Sequence, residues 1–204
     1  MADDVEEFIS KHKLHVPVMI GHSMGAKVAM TVALRSPERV SALVPVDNAP
    51  VDASLSSDFP KYIQGMREVD EAGVKKQVEA DNVLKNYVEA LPIRQFLLTN
   101  LIPSPNREHL QFRIPLKILA ASLDYMGDFP FKDPDEARYD GPTLVIRGTK
   151  SHYVPDDVLP LIGRFFPRFE LRDIESGHWV ISEKPEAFRQ AVVDFLQEKE
   201  ARDD

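Results

Sequence analysis

Gly21-His22-Ser23-Met24-Gly25 follows directly on the apolar run Val16-Pro17-Val18-Met19-Ile20. A serine at the tip of a sharp turn from strand to helix is exposed and ready to act as a nucleophile. Near the other end of the chain, Ser176-Gly177-His178-Trp179 supplies a candidate base. Asp47, which closes the apolar run from Val40 to Val46, supplies a candidate acid. Together they could perform acyl transfer. Ser23 would attack a carbonyl, His178 would take its proton, and Asp47 would fix the tautomer and stabilise the imidazolium. The chain order Ser…Asp…His is one of those in which such triads occur.

The chemistry requires particular elements around these residues. The turn forces Ser23 into a sparsely populated backbone region. Gly21 and Gly25 flank it and read as positions where a Cβ would collide with the neighbouring strand or helix. The Met24 N–H opens the following helix and points toward the site, a candidate oxyanion donor helped by the positive helix end. Ala26, Ala29, Met30, Ala33 and Leu34 recur at helical spacing, predicting a helix over 24–35 that ends at Ser36-Pro37. The run 16–20 does not alternate with polar residues, so it reads as a buried strand.

His178 falls in a loop just past the last predicted strand, 169–174. In a parallel sheet that is the carboxyl edge, where Ser23 also emerges. The competing reading of His178 is a loop histidine that caps the neighbouring helix. His22, His109 and His152 are weaker candidates. His22 lies inside the elbow and is expected to point away from Ser23. His12 and His15 lie on the wrong side of the first strand. For the acid, the stretch 148–154 after the strand 142–148 has no carboxylate. Asp156 and Asp157 come next, at a helix start where acids are ordinary caps. Asp47 opens at the same sheet edge as Ser23, one strand over, and is the preferred acid, with Asp156 and Asp157 as alternatives. Asn48 and Pro50 leave it a second role, as a turn initiator.

Helices are also predicted at 3–12, 156–165 and 185–199. The stretch 52–135 differs in texture, with helical patterning, many charges and breaks at Pro60, Gly73, Pro92, Pro103, Pro105 and Pro115. Val83, Leu84, Tyr87, Val88 and Leu91 form one apolar stripe in it, and Ile93, Phe96, Leu97 and Leu101 another. Such stripes are ordinary helix-packing surface, and some of their residues could line an acyl pocket. The expected organisation is a hydrolytic core over 1–51, a helical cap over 52–135 and the rest of the core over 136–204. Strands alternating with helices imply an α/β fold with a mostly parallel sheet.

Composition narrows the function classes. The chain has 204 residues, 43% hydrophobic and 28% charged, values of a globular protein. A net charge of −8 argues against nucleic acid or an anionic membrane as partner. With no cysteine there is no disulfide, thiolate nucleophile or cysteine metal site. No apolar stretch approaches the ~20 residues that span a bilayer. The acidic N-terminal stretch is neither a secretory signal nor an Arg-rich transit peptide.

Four segments together resemble a branch of the α/β-hydrolase superfamily. It is the small-esterase group that includes abhydrolase domain-containing protein 11 and the yeast ethanol acetyltransferases. The segments are Gly21–Lys27, Val46-Asp47-Asn48-Ala49-Pro50, Arg147–Val154 and Gly177-His178-Trp179-Val180. An acid placed after the strand that follows the elbow is characteristic of this branch. The resemblance implies a serine hydrolase of esters or thioesters, acyl transfer to small alcohols in some relatives, no cofactor, and a mitochondrial setting for eukaryotic members. Ser23 stands where dehalogenases and epoxide hydrolases of this fold carry an aspartate. A carbon–carbon hydrolase would use the same three residues. In the family, further strands and a His-Gly loop that gives a second oxyanion donor precede the elbow segment. The expectation is therefore a partial, N-terminally truncated α/β-hydrolase fold. Its first strand would keep an open edge prone to self-association. Loss of one oxyanion donor costs about 10²–10³ in rate. A catalytically impaired or non-catalytic binding relative is the alternative.

Overall fold

The computed structural model describes residues 1–52 and 58–203. In chain order its elements are α1 (Ala2–Lys11), β1 (Val18–His22), α2 (Met24–Arg35), β2 (Ala42–Val46), α3 (Asp58–Ala72), α4 (Gln77–Leu84), α5 (Leu91–Leu98), β3 (Leu101–Pro103), β4 (Leu110–Phe112), α6 (Leu116–Met126), β5 (Thr143–Gly148), α7 (Leu159–Phe165), β6 (Phe169–Ile174), α8 (Val180–Glu183) and α9 (Pro185–Asp203). They form two compact units, one of Met1–Asp52 with Phe129–Asp204, the other of Ala53–Asp128. Residues 53–57, at the start of the expected cap, lie outside the described residues.

The first unit is built on a parallel sheet in the order β1-β2-β5-β6. Both faces of the sheet are covered. Leu43 and Val145 face Ala26, Ala29, Met30 and Ala33 of α2 and Phe165 of α7, while Val44, Val46, Leu144 and Ile146 face Ala191, Val192 and Phe195 of α9. A strand buried on both faces needs an uninterrupted apolar run, which β2 carries along its length and β5 carries over Leu144-Val145-Ile146. The small alanines let α2 lie close to the sheet, and α1 packs against α2, with Arg35 of α2 bonded to Asp3.

β1 departs from the expected buried strand. It pairs with β2 on one side and has no other strand partner among the described residues, so Ile20 is 49% exposed. It also runs two residues later than expected, because Gly21 and His22 pair with Pro45 and Val46 before the chain turns.

The second unit packs Ile63, Met66 and Val69 of α3 against Ala80, Leu84, Leu97 and Leu116. The stretch is not purely helical. β3 and β4 form an antiparallel hairpin with Leu101 opposite Phe112. The stripe Val83–Leu91 is divided between α4, a turn and the first residue of α5, so it is not one helix face. No described helix is long and apolar enough to cross a membrane.

Candidate active site

The parallel ladders continue past the strand ends, and this sets the site. Ser23 N–H donates to Val46 O at 2.9 Å, Asp47 N–H to Ile146 O at 2.8 Å, and Thr149 N–H to Ile174 O at 2.9 Å. Each chain thus leaves its strand at the same edge of the sheet, still hydrogen-bonded to its neighbour. Three segments far apart in sequence are held side by side.

Ser23 takes φ 56° and ψ −119°, a strained conformation of the kind that costs about 1–3 kcal/mol and persists only where its surroundings fix it. Its carbonyl helps fix it by accepting from Ala26 N–H at 3.0 Å in the first turn of α2. A Cβ on Gly21 would fall 2.1 Å from the Gly25 carbonyl oxygen, so only glycine fits there. The steric expectation for Gly25 is overturned: a Cβ there meets nothing within 4 Å. Gly25 faces the open groove beside the free edge of β1, lined also by Met19, Ile20 and Val28. Met24 is the first residue of α2, among the four whose N–H groups have no partner within the helix.

The structure brings Ser23, Asp47 and His178 together. His178 Nε2 lies 2.9 Å from Ser23 Oγ, and His178 Nδ1 lies 2.7 Å from Asp47 Oδ2. An ionised carboxylate only accepts, so Nδ1 carries the ring proton and Nε2 is left to accept from Ser23. Asp47 is fully buried and also at positive φ, 51°. Burial of a carboxylate requires hydrogen bonds. Asp47 accepts from Gly148 N–H at 3.0 Å, Ser151 Oγ–H at 2.5 Å and His178 Nδ1–H. The alternative acid Asp156 is instead paired with Arg147 at 2.5 Å, its side chain 86% exposed.

The loop carrying His178 is tied down at several points. Gly177 N–H donates to Glu183 of α8 at 2.8 Å, and Lys150 N–H donates to Ser176 O at 2.9 Å. A Cβ on Gly148 would come within 2.3 Å of Gly177 O, so the end of β5 and this loop touch backbone to backbone. The Tyr153 ring stacks on the His178 ring, with centroids 4.1 Å apart. Arg147 anchors the loop that bears Ser151 and Tyr153. It forks onto Asp173 at 2.7 and 2.9 Å and reaches Val154 O at 3.2 Å.

Ser151 and Tyr153 are not among the candidate site residues that the sequence offers. The signal was a hydroxyl three residues past Gly148, but it has meaning only once β5 is known to neighbour β2. His22 was expected to point away from Ser23. Its Nε2 lies 2.7 Å from the backbone oxygen of His178, and burial pulls its pKa below the ordinary histidine value. His109 belongs to the second unit, and the His12 ring lies tilted against Phe8 of α1, with centroids 4.2 Å apart.

Comparison with known proteins agrees with this architecture. Residues 1–185 match the family described as alpha/beta hydrolase fold, and the chain belongs to it. The chain is 41% identical over 197 residues to abhydrolase domain-containing protein C22H12.03 of Schizosaccharomyces pombe, covering 96% of this chain and 73% of that protein. It is 40% identical to a probable alcohol acetyltransferase of Saccharomyces cerevisiae, covering 98% of this chain and 63% of the relative. It is 36% identical to the sn-1-specific diacylglycerol lipase ABHD11 of Xenopus laevis, covering 97% and 62%. The chain thus spans under two thirds of the length of these last two relatives. Among solved structures, a marine microorganism esterase superposes with a TM-score of 0.87 at 28% identity, covering 95% of this chain and 75% of that one.

Proposed function

We propose that this chain hydrolyses carboxylic esters or thioesters through an acyl-enzyme on Ser23. The observation that carries the reading is the unbroken hydrogen-bonded line from Ser23 Oγ through the His178 ring to buried Asp47. His178 Nε2 removes the hydroxyl proton as Oγ attacks the acyl carbonyl, while Asp47 offsets the imidazolium charge. The Met24 N–H, at the positive end of α2, donates to the oxygen as it becomes anionic. Collapse expels the alcohol or thiol, which leaves with the proton from His178. Water, deprotonated by the same nitrogen, then releases the acid and restores Ser23.

A small alcohol in place of water would yield a new ester. The alcohol acetyltransferase relative favours this second reading, and the diacylglycerol lipase relatives favour acylglycerols among the ester substrates. The segment 52–135 is read as the cap of the fold, between core segments 1–51 and 136–204. The one-sided pairing of β1 supports self-association of the chain, which sedimentation at rising concentration tests.

The catalytic reading is tested by labelling the purified 204-residue chain with a fluorophosphonate, alongside Ser23→Ala. Labelling that disappears in Ser23→Ala is the expected result. A folded chain that is not labelled overturns the claim and leaves a binding relative of the family. With a p-nitrophenyl ester as donor, the ratio of acid to ethyl ester formed in added ethanol separates hydrolysis from acyl transfer.

A further inference from the structure

His22 is the last residue of β1 and directly precedes the nucleophile, yet its ring is turned to the loop that bears His178. Its Nε2 lies 2.7 Å from the His178 backbone oxygen. Its ring centroid is 4.9 Å from that of His178 and 5.9 Å from that of Trp179. A carbonyl oxygen only accepts, so the proton on His22 sits on Nε2. Burial holds the ring below its ordinary value of 6.5, so at neutral pH it donates as a neutral group and adds no charge beside His178.

The two bonds on the His178 ring fix the direction of the imidazole but not the position of the backbone that carries it. Gly177 and Ser176 are anchored to Glu183 and Lys150. At His178 itself the bond comes from His22. We propose that His22 is a positioning residue of the triad, whose Nε2–H tethers the His178 backbone carbonyl to the elbow that carries Ser23. Because His22 and Ser23 are adjacent in the chain, any shift of the elbow moves nucleophile and tether together, and the Oγ–Nε2 separation is kept. This inference rests on the assignment of Ser23 and His178 as nucleophile and base.

The test compares wild type with Ser23→Ala, His22→Phe and His22→Gln. The phenylalanine keeps a ring but has no donor. The glutamine amide reaches about as far as Nε2 and can still donate. The readouts are the rate of fluorophosphonate labelling per folded molecule and the side-chain ¹⁵N–¹H signal of His178 Nδ1. A misplacement of about 1 Å costs about 10²-fold, so His22→Phe is expected to label about 10- to 100-fold more slowly, and His22→Gln within about threefold of wild type. Wild-type labelling in His22→Phe overturns the inference. So does a His22→Gln as slow as His22→Phe, since packing and not the hydrogen bond would then matter. If His22→Phe does not fold, His22→Asn, whose shorter amide falls short of the carbonyl, replaces it under the same criteria. If wild type is not labelled at all, the catalytic reading fails, and the His178 signal decides the tether. Its loss in His22→Phe and retention in His22→Gln supports the tether, and an unchanged signal in His22→Phe overturns it.

Discussion

Asp47 and His178 are 131 residues apart in sequence and meet at 2.7 Å, because the loops after β2 and β6 leave the sheet at one edge. The contact pairs a fully buried carboxylate with the ring nitrogen that faces away from Ser23. Asp47→Asn keeps the size but loses the charge, and the amide favours the wrong imidazole tautomer. Turnover of a p-nitrophenyl ester by Asp47→Asn is expected to fall about 10⁴-fold with little change in KM. An activity within tenfold of wild type would show that the acid lies elsewhere.

Ser151 donates to the same carboxylate oxygen that accepts from His178. Ser151→Ala leaves Asp47 buried with one hydrogen bond fewer. A hydrogen bond to a charged group contributes about 1.5–3 kcal/mol, and removal of this one divides between fold and catalysis. Urea denaturation is expected to show a loss of about 1–2 kcal/mol, with a fall in kcat of about 2- to 5-fold. If both are unchanged, the Ser151 bond has no part in holding the acid.

Legibility followed how locally each feature is encoded. α2 was readable to the residue, because the elbow opens it and Ser36-Pro37 ends it. β6 was readable because its apolar positions stand between Pro167 and the glycine before His178. Ser23, Asp47 and His178 could be picked out by residue type at the ends of apolar runs. The hairpin of β3 and β4 was hidden because strands of three residues are too short for a period of two to emerge from helical surroundings. Ser151 and Tyr153, and the contact that His22 makes with the His178 loop, were hidden for another reason. Their partners lie across the sheet edge, and only the strand order says which loops meet. The open side of Gly25 likewise depends on β1 being an edge.

The two elbow glycines are expected to behave oppositely. Gly21→Ala places a Cβ 2.1 Å from the Gly25 oxygen and 2.4 Å from its carbonyl carbon, and backbone cannot yield as a side-chain tip can. Overpacking of this kind costs about 1–3 kcal/mol or more, and it displaces Ser23 as well. Gly25→Ala enters open space in the first turn of α2, where alanine is the better helix former by about 0.5–1 kcal/mol. Thermal unfolding of the two variants checks this. Equal destabilisation by both would mean that Gly25 is confined.

The clamp under the Ser151–Tyr153 loop gives a pH prediction with a definite sign. The Arg147 guanidinium, hydrogen-bonded to Asp173, holds that carboxyl below its ordinary value of 3.8, with Coulomb attraction adding to the effect. A carboxyl lowered in the folded state binds fewer protons there than in the unfolded chain between the two values. Its stabilisation is therefore complete above the unfolded value and is lost as pH falls through the folded one. Asp173 is 46% exposed at its side chain, so solvent screening keeps the contribution to about 1 kcal/mol or less. Asp173→Asn removes the carboxyl, and its stability should fall less steeply than that of wild type as pH drops from about 5 toward 2, the range over which a lowered carboxylate takes up its proton. The check is urea denaturation across that range. Parallel curves for the two proteins would mean that the Arg147 fork does not stabilise the folded chain through this charge.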